Sequence, residues 1–221
     1  MQGPSPRYEL DHVFVCTAVG APEAAALARL GLVEGSPNTH PGQGTACRRF
    51  FFHNAYLELL WVSNSEEAQS QAARPTRLWE RWSGRGTAAC PFALIFRGSD
   101  GAAAPFDTWR YRPPYLPAGM AIDVATGTAL TEPELFYLPS GRRPDAMGRQ
   151  PVDHSLPLRE ISRVEIRGPR GPRTAATRSA EAQGLVAFRE SDEHVMELGF
   201  DRETAGGVAD LRPELPLVLR W

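Results

Sequence analysis

Polar residues break into the apolar runs of this chain at few places, and the spacing of those runs spells out elements. Tyr8-Glu-Leu-Asp-His-Val-Phe-Val15 reads as a strand over about 8–17. It leads into Gly20 to Leu30, where Pro22 near the start and Gly31 just past the end are helix punctuation. Residues 45–53 and 55–63 read as two strands joined at a tight turn around Asn54, an antiparallel hairpin with Phe50 to Phe52 and Leu57 to Val62 as core material. Residues 8–63 therefore spell β-α-(β)-β-β.

The pattern then loosens. Residues 65–74 are polar and Ala-rich, and Pro75 opens a helical piece in which Leu78, Trp79 and Trp82 share a face before Gly84. Apolar runs at 91–97, 119–125 and 134–139 predict three further strands. The stretches Asp107 to Pro117 and Ser140 to Pro157 between and after them read as long loops, rich in Pro, Arg and aromatics. Loops of that length in a compact domain tend to be lids or binding loops, so Trp109, Arg110, Tyr111 and Tyr115 form a candidate ligand wall. Strands follow at 158–168, 184–190, 194–200 and 215–220, with a short polar helix near 174–182. Strands outnumber helices, which predicts an α+β fold with three parts: a first module over 1–64, a helical connector over 65–90 and an elaborated β-rich module over 91–221. Val195-Met-Glu-Leu-Gly-Phe200 echoes Tyr56-Leu-Glu-Leu-Leu-Trp61, each with one Glu in mid-strand.

Composition narrows the function. A chain of 221 residues, 42% hydrophobic, buries a substantial core. Its formal net charge of −2 argues against nucleic acid, which calls for a strongly basic face. All of its basic residues are Arg, a compositional habit of an Arg- and Ala-rich chain. The N-terminal residues carry no secretory apolar run, and no stretch of about 18 apolar residues occurs, so no membrane association and a cytoplasmic location are expected. Cys16, Cys47 and Cys90 lack the short spacing of a zinc site and read as small buried residues.

Two ionisable residues stand out because burying an unanswered charge is costly. Glu58 sits inside an apolar strand, and His12 has equally apolar neighbours. Alternate residues of a strand share a face, which groups Leu10, His12, Phe14 and Cys16, and separately Tyr56, Glu58, Leu60 and Val62. If those faces coincide, His12 and Glu58 meet, and an imidazole with a carboxylate suits a divalent first-row ion. Water and further protein groups must complete such a site, with His40, His154, Glu197 and His194 available by type. Two other readings stay open: a hydrogen-bonded core histidine at residue 12, and a pairing of Glu58 with Arg48 or Arg49 on the adjacent strand. The His40-Pro-Gly-Gln-Gly-Thr45 segment is no phosphate loop, since strand rather than helix follows it, and its glycines read as places of close backbone approach.

Taken together, the β-α-β-β-β start, His12 in the first strand, His40-Pro-Gly-Gln-Gly-Thr45 and Tyr56-Leu-Glu-Leu59 resemble the glyoxalase-like proteins of the vicinal oxygen chelate superfamily. The match is closest over 9–63. The resemblance implies paired βαβββ modules in a cupped mixed sheet able to hold a divalent metal, with His12 and Glu58 as ligands and Glu58 as the catalytic candidate. It implies a metal-dependent lyase, isomerase or related enzyme acting on a small oxygenated molecule, and a possible homodimer. The second half departs from that pattern, because Cys90-Pro-Phe-Ala-Leu-Ile-Phe96 offers no His where a symmetric site would repeat His12. That departure supports an alternative, a metal-free protein that sequesters a small aromatic or cationic molecule.

Overall fold

In a computed structural model describing residues 7–98 and 102–221, the first strand, β1 (Tyr8–Cys16), is followed by a short helix, α1 (Ala24–Arg29). Three strands come next: β2 (Asn38–His40), β3 (Thr45–Phe51) and β4 (Tyr56–Val62). Two helical turns, α2 (Ser65–Ala68) and α3 (Leu78–Ser83), carry the chain to β5 (Phe92–Gly98), β6 (Thr108–Tyr111), β7 (Ile122–Ala125) and β8 (Glu134–Leu138). These eight strands form one mixed sheet in the order β2-β3-β4-β1-β5-β8-β7-β6.

The order contains a repeat. β1 runs parallel to β4 and β5 parallel to β8, while β1 and β5 meet antiparallel at the centre. Two four-stranded halves of like connectivity thus share one curled sheet, the paired-module arrangement the sequence led us to expect. Among the described residues, α1 in the first half has no counterpart between β5 and β6.

The expected loop 107–117 contains β6, which pairs with β7 through Trp109 opposite Val124 and Tyr111 opposite Ile122. Arg110, Arg112 and the neighbouring prolines hide so short an edge strand from its hydrophobic pattern. The span 91–221 divides between two sheets. After α4 (Pro144–Met147), the chain builds β9 (Ile161–Gly168), α5 (Ala175–Ala182), β10 (Ala187–Glu190), β11 (Val195–Phe200), β12 (Val208–Asp210) and β13 (Leu217–Arg220). These five strands form a second sheet, ordered β10-β9-β11-β13-β12.

One face of the second sheet packs on one face of the first. Val164, Ile166, Leu198, Leu217 and Leu219 share a core with Val13, Val15, Leu57, Leu59 and Leu94. The opposite face of the first sheet carries a second cluster that includes Phe14, Leu60, Ile95 and Phe136. Central strands are therefore buried on both faces, which is why they read as near-continuous apolar runs. A β-bulge between Leu10 and His12 breaks the alternation expected in β1. Leu10 joins the first core, while His12 turns to the other face.

Candidate functional site

The free face of the eight-stranded sheet holds a cavity of about 240 Å³. Its two sides differ in chemistry. Strands of the first half bring His12, Asn38, His40, Tyr56 and Glu58, with Gln43 from the β2–β3 turn, whereas β5, β7 and β8 bring Ile95, Ile122, Phe136 and Leu138. The chain between β6 and β7 closes the cavity with Tyr115 and Leu116, and Tyr111 of β6 lines it as well.

The turn His40 to Thr45 works by close approach. Gly42 and Gly44 have φ of +78° and +73°, a region that favours glycine. A Cβ on Gly42 would meet Pro114 at 2.7 Å, and one on Gly44 would collide with the Asn64 carbonyl oxygen. The turn can thus tuck beneath the β6–β7 segment, where the Tyr115 ring lies 4.8 Å from that of His40 and its hydroxyl donates to Gln43 Oε1 at 3.3 Å.

Glu58 is 4% exposed, yet among the described residues no arginine or histidine nitrogen lies within the 4.0 Å of an ion pair. Neither arginine on the neighbouring strand answers it. Arg49 stands opposite Glu58 in register, but its guanidinium donates to the Ser36 and Pro37 carbonyls at 2.8 and 3.4 Å. Arg48 pairs with Glu34. What does approach Glu58 is a pair of ligating groups: donor atoms of His40, Cys47 and Glu58 all lie within 4.8 Å of one another, and all three residues are buried.

The protonation of this group follows from its burial. Burial holds His40 below the usual histidine range, an effect that the Glu58 charge opposes and His12 reinforces. Its Nδ1 contacts Thr45 Oγ1 at 2.9 Å and its Nε2 contacts Asn38 Nδ2 at 3.0 Å. Burial first, then the Glu58 charge, pushes the Cys47 thiol up, so without a cation it keeps its proton and turns it toward Glu58.

His12 has different company. Its Nδ1 lies 2.8 Å from Asp11 Oδ1, and the other Asp11 oxygen accepts from Arg97 Nη1 at 3.4 Å. Arg97 is itself anchored to Glu9 and the Asn54 carbonyl, each at 2.8 Å. The His12 ring stacks on Tyr56 at 4.3 Å. Sequence reasoning missed Asp11 and Arg97, although an Asp beside a His in an apolar strand was a usable signal.

Other residues singled out from the sequence lie elsewhere. His154 accepts from the Val33 amide at 3.0 Å and donates to the Phe51 carbonyl at 2.9 Å, tying a loop down outside the cavity. Glu197 sits in the second sheet, held by Arg163, Arg167 and Arg220. His194 contacts the Ala88 carbonyl oxygen at 3.1 Å. Trp109 packs on the second cluster without lining the cavity, and Arg110 pairs with Asp123 at 3.3 Å on the surface. Of the expected aromatic wall, Tyr111 and Tyr115 line the cavity; Trp109 shares the face of Tyr111 along β6, its ring 5.8 Å away, but lies beside the cavity, and alternation turns Arg110 to the other face. The Tyr111 hydroxyl is buried and finds no partner among the described residues.

The fold is a curled mixed sheet of two like halves, with candidate ligating groups on its cavity face. Residues 10–109, from β1 to the start of β6, match a family described as a glyoxalase-like domain. A hypothetical protein from Staphylococcus aureus shares the fold, aligning over 96% of this chain and 98% of its own at 10% identity with a TM-score of 0.54. A weaker likeness joins 90% of this chain to 38% of a xylose isomerase-like TIM barrel/4-hydroxyphenylpyruvate dioxygenase fusion protein, at 13% identity and a TM-score of 0.48. Methylmalonyl-CoA epimerase in complex with methylmalonyl-CoA and NH4+ aligns over 61% of this chain and 97% of its own, at 16% identity and a TM-score of 0.40. No functionally curated protein matches the chain in sequence. Among the described residues no helix is long and apolar enough to cross a membrane.

Proposed function

We propose that this chain is a divalent-metal-dependent enzyme of the lyase or isomerase type, acting on a small oxygenated molecule held in the cavity. The observation that carries the reading is Glu58: a buried carboxylate with no cation partner, beside His40 and Cys47. An imidazole nitrogen, a thiol sulfur and a carboxylate oxygen form a donor set suited to a borderline ion such as zinc. The fit extends to charge, since such an ion would answer Glu58 and supply the field that strips the proton from Cys47. When bound, the ion offers Lewis-acid polarisation of a substrate oxygen.

The protein's own residues do the rest. Asn38 and Gln43 present amide groups at the polar end, where they can orient oxygen atoms of a substrate. Ile95, Phe136 and Leu138 offer an apolar wall that accepts carbon and excludes water. Tyr115, set across His40, covers the polar end.

One observation favours a second reading, a metal-free binder of a small aromatic or cationic molecule. Ile95 stands in register with His12 and Phe136 beside Ile95, so the central strands β5 and β8 bring apolar side chains to the cavity, and among the described residues the second half adds no group to the His40, Cys47 and Glu58 cluster. Metal analysis of protein purified without chelators separates the two. The enzyme reading expects about one ion per chain in the wild type and loss of it in His40→Ala and Cys47→Ser, with the melting temperature rising on adding zinc. Equal metal content in all three proteins, with stabilisation by an aromatic cation alone, would replace it by the binder.

A further inference from the structure

The walls of the cavity offer a ligand no strong positive charge. All 24 of the chain's strongly basic residues are arginines, and among the described residues none of them lines the cavity. We infer that the site takes an electrically neutral molecule, a ring-sized apolar body bearing the oxygen atoms that the polar end holds, and turns anions away. The inference rests on the proposed metal site at His40, Cys47 and Glu58, and names the class of substrate that site admits.

Arginines do stand around the cavity, and each is engaged elsewhere. Arg49 lies opposite Glu58 in register, yet its guanidinium donates to the Ser36 and Pro37 carbonyls at 2.8 and 3.4 Å. Arg97 shares a face of β5 with Ile95, a lining residue, but is 4% exposed and answered twice, by Glu9 at 2.8 Å and by Asp11 at 3.4 Å. Arg110 precedes Tyr111 on β6 and pairs with Asp123 at 3.3 Å on the surface. Arg112 and Arg142, each next in the chain to a lining residue, are exposed, so water and salt screen them.

The charge of the site itself points the same way. Cys47 as thiolate and Glu58 as carboxylate bring two negative charges, which together cancel a divalent ion, and the His40 imidazole, binding through a lone pair, adds none. A loaded site of that composition has no positive charge left over, and a carboxylate or phosphate brought into it would be a buried charge without a partner. Size narrows the class further. An apolar cavity of about 150 Å³ takes a benzene, so the cavity of about 240 Å³ here, with Ile95, Phe136 and Leu138 on one wall, seats one ring and a substituent of a few atoms. Neutral carbonyl and hydroxyl compounds of that size fit. Phosphate esters and carboxylic acids, ionised near neutral pH, do not.

Three probes of one shape and different charge test this on the whole chain: benzamide, benzoate and benzamidinium. Their dissociation constants are read by calorimetry at about pH 8, above the ordinary histidine range, in saturating zinc and in chelator. With zinc, benzamide should bind at least about 10-fold more tightly than benzoate. With chelator, the unanswered Glu58 should put benzamidinium first, and benzoate should stay last. Met120 lines the cavity yet is 41% exposed, so Met120→Arg places a guanidinium at the mouth without burying it. That variant should narrow or invert the gap between benzamide and benzoate, whereas Met120→Gln should keep it. Benzoate bound as tightly as benzamide by the wild type, a gap that Met120→Arg leaves unchanged, or failure of all three probes to bind would overturn the inference. A wild type that binds no zinc would sink the metal reading, and the order of benzamide and benzoate in chelator would still decide the charge class on its own.

Discussion

Glu58 and Glu197 occupy like places in their strands, each a single carboxylate in an apolar run and each nearly inaccessible to water at 4% and 3% exposed. Their surroundings differ completely. Three arginines from β9 and β13, namely Arg163, Arg167 and Arg220, converge on Glu197, with Arg167 and Arg220 at 2.8 and 2.9 Å. Glu58 has an arginine opposite it in register, but that guanidinium is turned away to backbone carbonyls. A buried charge answered by its own sheet stabilises the fold, and one left unanswered beside other potential ligands marks a candidate binding site. The fold tolerates the second kind because the rest of the sheet, packed on both faces, over-determines the position of β4.

The largest effect expected from this contrast is on stability. Glu197→Ala should cost about 2–3 kcal/mol in denaturant unfolding, the range for hydrogen bonds to a charged group, with solvent screening of the partly exposed arginines holding it there. Burial tends to raise the Glu197 carboxyl, but hydrogen bonds from Arg163 and Arg220 and the nearby positive charges outweigh it and leave it lowered. A group whose folded value is depressed contributes stability above its unfolded value, about 4.3, and loses it as pH falls further. The gap between wild type and Glu197→Gln should therefore close on acidification below about pH 4.5. A gap that stays constant from pH 7 to 3 would show the arginine cluster to be inert.

Smaller effects separate the two halves of the expected aromatic wall. Trp109→Ala should lower stability by about 1–2 kcal/mol without changing binding in the cavity, since the ring only packs over the second cluster. Tyr111→Phe should leave stability unchanged or raise it by less than about 1 kcal/mol, because it removes a buried hydroxyl that has no partner. Weakened ligand binding in Trp109→Ala, or a Tyr111→Phe protein that melts lower, would reverse these assignments.

How much of this was legible in the sequence depended on distance along the chain. Four of the first five elements, all but the short β2, were readable in place because helix punctuation, strand alternation and the Asn54 turn are local signals. The division of 91–221 into two sheets was not, since whether β9 joins β8 or starts a new sheet is decided by which apolar face it must cover. His12 and Glu58 were legible as polar residues in apolar surroundings, whereas His40 stood out only as one of several candidate ligands. Cys47 was read as a small buried residue, which it is, but its proximity to Glu58 depends on the pairing of β3 with β4. The fates of Glu197 and Arg49 were hidden for the same reason: an ion pair is a fact of the folded sheet, and two arginines beside a glutamate in sequence need not face it.

The most direct test of the claim about Glu58 is the thermal stability of wild type and Glu58→Gln, each measured with chelator and with saturating zinc. The account predicts a crossing. With chelator the variant should equal or exceed the wild type by up to about 1 kcal/mol, since a buried unanswered charge has been removed. With zinc the wild type should rise above the variant by about 3 kcal/mol or more at 100-fold excess over its dissociation constant. Parallel behaviour of the two proteins, with the variant less stable by the same amount in both conditions, would mean that Glu58 serves the fold as Glu197 does.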